Sequence, residues 1–455
     1  MQSVILSGNT LCKIKRKFPL PPSLQATNHV TSVTEVVKRT DPSVETGKEP
    51  KDEEYDDYFV WRRNAPFIYD SLMVHRLDWP SLAVNFIPDT CHRSKGGFTS
   101  HKVIIGTHTS GEEVDYVIIG EVRLPATAMR ENLTTCENFK GFFTYHKTHR
   151  LAVMGHPVPG FDTKAKLVHP GEVNRIAHCP KGQFTFATQT NYGDILIYDY
   201  SRHPSTPRCA NKAAPQLVLT HGHTSEGYGL SWMDEHKLVS VSTDGSVCLW
   251  DTNAQSKTLE ESEKYVNNTK CVEPLNKFSL KDAPLNDVQV MPSQHQNFMT
   301  VSDDCKIRLF DSRKNNCSGN AQVTLTAKSE VNCLSINEFN EHFVATGTVD
   351  GSICLWDVRN EKGAVLVLSH HTEPITQVEF CGASAGLLAS ASQDQKVYIW
   401  EISAEEKLKF SHVGHRGTVS DISWIKESYH KNGFALASVA SDNSFHCFTP
   451  NFMEL

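Results

Sequence analysis

Histidine, cysteine and carboxylate side chains hold metals and move protons, and this chain has 22 His, 13 Cys and 52 Asp plus Glu. Spacing decides what they can do. No two cysteines stand closer than Cys305 and Cys317, so there is no C-x-x-C pair and no sequence-local zinc site. No H-E-x-x-H, no Gly-rich phosphate loop and no nucleophile–base pair stands out. An odd, scattered set of cysteines is not a disulfide framework, which points to a reducing compartment. Cys248 and Cys354 each lie two residues before a Trp in a Val/Ile-containing run and read as buried small hydrophobes. The expectation is therefore no catalytic residue, no metal and no cofactor.

The histidines and acids recur instead at repeating positions. Six short alternating strands resemble one another: Gly193–Asp199, Gly245–Asp251, Cys305–Asp311, Gly351–Asp357, Gln395–Glu401 and Asn443–Phe448. Five of them end in an aromatic residue followed by an acid, at 199, 251, 311, 357 and 401, with spacings of 52, 60, 46 and 44 residues. A small-residue strand precedes them, as in Val239–Asp244, Val344–Asp350, Leu388–Asp394 and Leu436–Asp442, each closing on a turn Asp. Further upstream stand Gly222-His223 and Gly414-His415, with weaker versions at His169 and His371. This order is the WD-repeat pattern, in which His, Ser/Thr, Asp and Trp satisfy one another between strands of a four-stranded blade. An unpaired polar group there would cost roughly 1–3 kcal/mol. Repetition also spreads the Asp residues around a ring, whereas an active site needs them to converge.

The predicted fold is all-β: a seven-bladed WD-repeat β-propeller with an N-terminal α-helix packed on its edge. Blade two covers about 165–200, three 215–253, four 275–313, five 322–360, six 365–403 and seven 406–449. Blade one is irregular, with strands expected over Leu82–Ile87, Lys102–Thr107 and Val114–Leu124. Residues 126–164 read as its outer strand plus a loop, and 252–274 as a polar connection. The domain plan is a disordered basic tail over 1–52, a helical segment over 53–79, the propeller over 80–449 and a C-terminal tail over 450–455. Within 53–79, acids cluster at a helix start and Asn64-Ala65-Pro66 interrupts. A second helical stretch over Phe67–His75 then leads into Leu77-Asp78-Trp79-Pro80.

Charge divides the same way. The 45 basic and 52 acidic residues give −7, but the first fifty residues hold seven basic and four acidic, so the rest carries 38 and 48, net −10. The tail bears Lys13-Ile14-Lys15-Arg16-Lys17, which reads as a solvated basic tail or a nuclear-import patch; four bunched cations fit a mitochondrial transit peptide poorly. No stretch has the ~20 apolar residues of a membrane helix. Mild acidity argues against a protein that grips nucleic-acid backbone.

Trp61-Arg-Arg-Asn-Ala-Pro-Phe-Ile-Tyr-Asp70 followed by Leu77-Asp-Trp-Pro-Ser-Leu82 resembles the N-terminal signature of the retinoblastoma-binding family of WD-repeat histone-binding proteins. That family includes the small subunit of chromatin assembly factor and a histone acetyltransferase subunit. Ile105–Ser110, Gly171–Arg175, Ile197–Ser205, Glu226–Trp232 and Glu330–Ser335 are further matches, and the resemblance covers about 53–449 in the expected blade order. It implies a non-catalytic scaffold that binds histones H3 and H4 inside chromatin assembly, acetylation, deacetylation, remodelling or Polycomb complexes. The implied home is the nucleus, with the cytoplasm as a second compartment. The implied partners are H3, H4 and subunits of those complexes, with no nucleic-acid specificity and no membrane.

Two surfaces carry over by resemblance. A side groove between the N-terminal helix and a blade-six loop takes the first helix of H4; its matching half is Trp61, Phe67, Ile68, Tyr69 and Leu72, for which packing against the ring is the competing role. The other half departs from the family, because the acidic, Pro-containing insertion after the sixth Trp-Asp is missing: Trp400-Glu401 runs straight on to Phe410, leaving Glu401, Glu405 and Glu406. The channel face takes the basic H3 tail and similar peptides, and Glu172, Asn174, Glu226, Tyr228, Asp303, Glu330 and Asn332 match it; the competing role is a solvated rim. There too the chain departs: Asn286, Ser441 and Pro374 stand where acids are usual and Thr376 where an aromatic is. The alternative function is a WD-repeat adaptor that has lost tight H4 binding and docks another protein; an enzyme using the channel is the third and weakest reading.

Overall fold

A computed structural model describes residues 57–88, 92–93, 98–125, 143–146, 150–153, 160–259, 262–280, 283–314, 321–425 and 434–451. The basic tail over 1–52 and residues 452–455 lie outside the described residues. The described strands form seven sheets around a channel. Among the described residues, no helix is long and apolar enough to cross a membrane.

Blades three to six are four-stranded antiparallel meanders. Blade three runs Gly229–Trp232, Lys237–Val241, Ser246–Asp251 and Asn276–Ser279 from channel to rim. Its last strand comes from the head of the next sequence repeat, with Ser246 paired to Ser279 and Leu249 to Asn276. Blades and repeats are thus offset by one strand, and each repeat ties two blades together. Residues 165–200, read as blade two, illustrate the offset: Gly160–His169 is the outer strand of blade one, paired with Asp115–Pro125.

Two sheets are larger than the repeats foretell. The polar segment 252–274 is not a plain connection. Lys270–Val272 adds in parallel to Leu217–Leu219 of blade two, and Lys257–Thr258 adds beyond it. Blade seven also has six strands. Val419–Trp424, Leu436–Ala440 and Ser444–Pro450 come from the C-terminal repeat, and Tyr69–Arg76 joins them from the start of the ring. The hairpin Phe143–His146 and Arg150–Val153, drawn from the unreadable stretch 126–164, lies outside that strand.

The Tyr69–Arg76 strand corrects the expected second helix over Phe67–His75. A single helix runs Asp57–Ile68 through Pro66, and extended chain begins at Tyr69. The local pattern was ambiguous; seven antiparallel residue pairings, Leu72 to Phe448 and Met73 to Cys447 among them, outweigh local propensity. The helix buries Trp61 and Ala65, four residues apart on one face, and leaves Arg62, Arg63 and Asn64 exposed. Of the acids expected at its start, Asp57 alone lies in the described first turn.

The repeat histidines are structural. In blade three, His223 Nε2 meets Ser240 Oγ at 2.6 Å and Nδ1 meets Ser246 Oγ at 2.6 Å, while Trp250 Nε1 donates to Ser240 Oγ at 2.8 Å. Blade six repeats this with His371, Ser390, Trp400 and Asp394, and blade seven with His415, Ser438 and Ser444. Blade four has no histidine there; Arg308 reaches Ser302 and Asp304 instead. Cys248 is buried as expected, and burial pushes its thiol up to about 12, whereas Cys354 is only half-buried.

Candidate peptide-binding surfaces

The helix meets the ring through a buried polar chain. Trp61 Nε1 donates to the Tyr69 hydroxyl at 2.7 Å, and that hydroxyl lies 2.6 Å from His412 Nδ1. A tyrosine oxygen that accepts from Trp61 donates its own proton onward, so His412 carries hydrogen on Nε2, which reaches His446 Nδ1 at 2.9 Å. Burial, with His446 and His415 beside it, holds the His412 pKa well below its usual value; His446 is held down in the same way.

This corrects three of the five side-groove residues. Trp61 is 5% exposed, Tyr69 7% and Leu72 0%, so they form the floor under the helix and have almost no surface for a ligand. Ile68 is half-buried and does reach the surface; the Phe67 side chain lies outside the described residues. Beside Ile68, the helix offers half-buried Tyr58 and Phe59 and Val60, 47% exposed, none of which the matching of motif positions had selected. Blades six and seven hold this end of the helix. Lys396 Nζ pairs with Asp57 at 2.7 Å, and the Arg416 guanidinium lies over the Tyr58 ring at 4.4 Å. Opposite, residues 401–407 make a tight turn, with Glu401 N–H donating to the Lys407 carbonyl at 2.7 Å and Lys407 Nζ capping the Ile402 and Ala404 carbonyls. No acidic loop projects there; Glu405 and Glu406 are exposed.

The channel-face residues converge by topology. Glu172, Glu226 and Glu330 precede the innermost strands of blades two, three and five, and Asp303 follows the second strand of blade four. Antiparallel pairing puts all four positions at one end of the ring. Glu330 is exposed and the other three acids are half-buried. Glu172 lies 3.5 Å from His108 Nδ1, and Asp303 Oδ1 accepts from Asn286 Nδ2 at 2.6 Å. Tyr228 and Asn174 are buried, and neither amide atom of Asn174 has a hydrogen-bond partner among the described residues.

Asn332 has a different task. Its Nδ2 donates to the Ile375 carbonyl of the next blade at 2.8 Å. The equivalent residues Asn286 and Thr376 donate likewise to the Val331 carbonyl at 2.8 Å and the Val419 carbonyl at 2.7 Å. These are blade-to-blade clamps, which explains why an amide or hydroxyl at 286, 332 and 376 serves the ring. Ser441 accepts from Thr418 Oγ1 at 3.1 Å, within one blade.

Below this face the channel holds a buried ion cluster that repeat matching missed. Arg175 of blade two lies 3.6 Å from Asp287 of blade four and 3.7 Å from Asp421 of blade seven, beside a cavity of about 390 Å³. The acids also accept backbone N–H groups of the following blade: Asp421 from Val84 at 2.9 Å, Asp287 from Leu334 at 3.2 Å. Burial lowers the Arg175 pKa, and Asp287 and Asp421 more than offset it, so the guanidinium stays charged. Burial raises Asp421 despite Arg175. The available signal was a cation inside an otherwise strand-like Val173–His178.

Residues 56–126 match the family model for the histone-binding protein RBBP4 and its counterpart in the CAF1 complex, a span that takes in the helix, the closing strand and three strands of blade one. Residues 215–251 match the WD domain, G-beta repeat, and residues 274–452 match the N-terminal domain of nucleolar protein 10-like proteins, a β-propeller model.

Proposed function

The chain belongs to the RBBP4-like WD-repeat family, and from that premise we propose that it is a non-catalytic scaffold that binds histones H3 and H4 within nuclear chromatin-assembly or chromatin-modifying complexes. The observation that carries this is the match over 56–126, because it falls on the helix and strand that build the side of blade seven. Two sites divide the work. The acids Glu172, Glu226, Asp303 and Glu330 pair with Lys or Arg of an H3 tail, through the charge-assisted bonds that are strongest where partly desolvated. Ile68, Tyr58, Phe59 and Val60 offer apolar surface to one face of an H4 helix, above the fixed floor of Trp61, Tyr69 and Leu72. The ring acts by position: it presents histone segments while the chemistry belongs to a partner protein.

The test is retention of recombinant H3–H4 on the immobilised full chain at physiological salt, with H3-tail and H4-helix peptides assayed separately. The expected result is retention of H3–H4, with H3-tail binding about tenfold weaker in Glu226→Lys and H4-helix binding reduced in Ile68→Asp. A full chain that ignores H3–H4 favours the second reading, an adaptor for another protein, which the tight turn at 401–407 supports.

A further inference from the structure

Blade two has a second concavity, on its outer flank. After Ile195–Asp199 the chain makes one 3-10 turn, Tyr200–Arg202, capped by Asp199, whose carboxylate accepts the Ser201 N–H at 3.1 Å. A Pro- and Ser-containing segment then folds back over blade one, where Lys166 N–H donates to the Ser205 carbonyl at 3.1 Å. The chain returns to blade two only at Ala213, tied to the Lys264 carbonyl at 2.9 Å. This excursion encloses a cavity of about 310 Å³ with an apolar floor that includes Leu167 and Tyr198, and with Lys166, Arg202, Arg208 and Lys212 among its lining. No carboxylate is among the described residues that line it.

The four cations are under-neutralised. Arg202 Nε has Asp199 at 2.9 Å. Lys166 has only Asp78 at 3.5 Å, and that carboxylate is 85% exposed. Lys212 donates to a neutral acceptor, the Ser262 carbonyl, at 3.1 Å. Arg208 forms no ion pair among the described residues. A cationic pocket in a chain of net charge −7 selects by size. The acidic body repels an extended polyanion, and the cations are gathered in one cavity and do not form the track that a nucleic-acid backbone needs. Its volume is at the lower end of ligand pockets, roughly 300–1,000 Å³. A phosphate monoester brings about −1.5 to −2 charge and three strong acceptor oxygens, which suit Arg forks beside two ammonium groups. Pro204 and Pro207 on the rim offer apolar contact for the chain that bears it.

We propose that this pocket receives a phosphorylated serine or threonine side chain of a partner protein. Cys209, a free and exposed thiol in the lining, provides a built-in reporter. The full chain is alkylated with N-ethylmaleimide in the presence of a short phosphoserine peptide, its unphosphorylated twin, inorganic phosphate or single-stranded RNA, and modification of Cys209 is followed by mass spectrometry. The expected result is slowing of Cys209 alkylation by the phosphopeptide alone, with peptide affinity about tenfold or more lower in Arg208→Glu and in Lys212→Glu. Both side chains reach the surface, and an unchanged thermal melt and unchanged H3–H4 retention in these variants show that the ring is intact and that the pocket acts apart from the histone sites. Equal slowing by both peptides, protection by inorganic phosphate alone as strong as by the phosphopeptide, stronger protection by RNA, or no protection at all would each overturn the proposal.

Discussion

His169 and His223 show how a titratable side chain becomes a structural one. Burial carries both pKa values down to about 4, against favourable contacts with the Gly171 carbonyl and Asp244 respectively. The unfolded chain therefore binds the proton more readily than the fold does. The stability that these sites permit is complete above pH 6.5 and is lost as pH falls towards 4. At pH 5 each site is expected to withdraw about 2 kcal/mol. Urea denaturation at pH 7.5 and pH 5 measures this, and His223→Gln should flatten part of the slope; a pH-independent midpoint would contradict a neutral imidazole. The spacing of repeats made His223 and His415 legible as structural groups. It did not reveal the His412–His446 contact, 34 residues apart on strands of different blades, because no repeat places histidine at either position. Nor did it show that Arg308 fills a histidine's place, since an arginine can bridge the same Ser and Asp from a different strand position.

At the scale of elements, the strand Tyr69–Arg76 carries more of the structure than the helix before it. It lies between Ser444–Pro450 and Arg150–Val153, so it is an interior strand of blade seven although it begins the ring. A chain that starts at Leu77 leaves Ser444–Pro450 as a long apolar edge and removes Leu72 from its fully buried place. Such a chain is expected to be insoluble or to lose its cooperative melt. A chain that starts at Asp57 keeps both, and circular dichroism with light scattering separates the outcomes; a soluble, cooperative Leu77 chain would show that closure does not depend on this strand. Tyr69–Arg76 was also the least legible element. Its residues suit helix or strand, and the partners that decide the matter are more than 370 residues away, as in Leu72 and Phe448. Blades three to six were legible because every residue pairing in them except with the offset outer strand lies within one repeat.

The whole molecule is held by interactions that cross from blade to blade. Arg175, Asp287 and Asp421 join blades two, four and seven across the channel. Arg175→Met removes the cation and leaves two buried carboxylates, and is expected to cost about 3–5 kcal/mol at neutral pH, less as pH falls and the acids take up protons. Guanidinium titration at pH 7 and pH 5 checks this; a loss equal at both pH values would mean that packing, not charge, is what the arginine supplies. The ring and its blade order were legible from the repeats, and so was the acidic end face. The channel cluster was not, because alternation marks which residues point inward but not which of them meet across a ring. One further consequence follows from the register of the clasp. Tyr69 pairs with Pro450 and Arg76 with Ser444, so the chain before the strand and the chain after Ser444–Pro450 leave from the same end of the ladder. Force applied to those two segments loads the rungs one after another, as a zipper is opened, and not all together in shear. Heat must break the clasp in a single cooperative event, whereas an unfolding machine that grips both tails has a mechanically soft way in: it frees the helix and then parts the strands rung by rung.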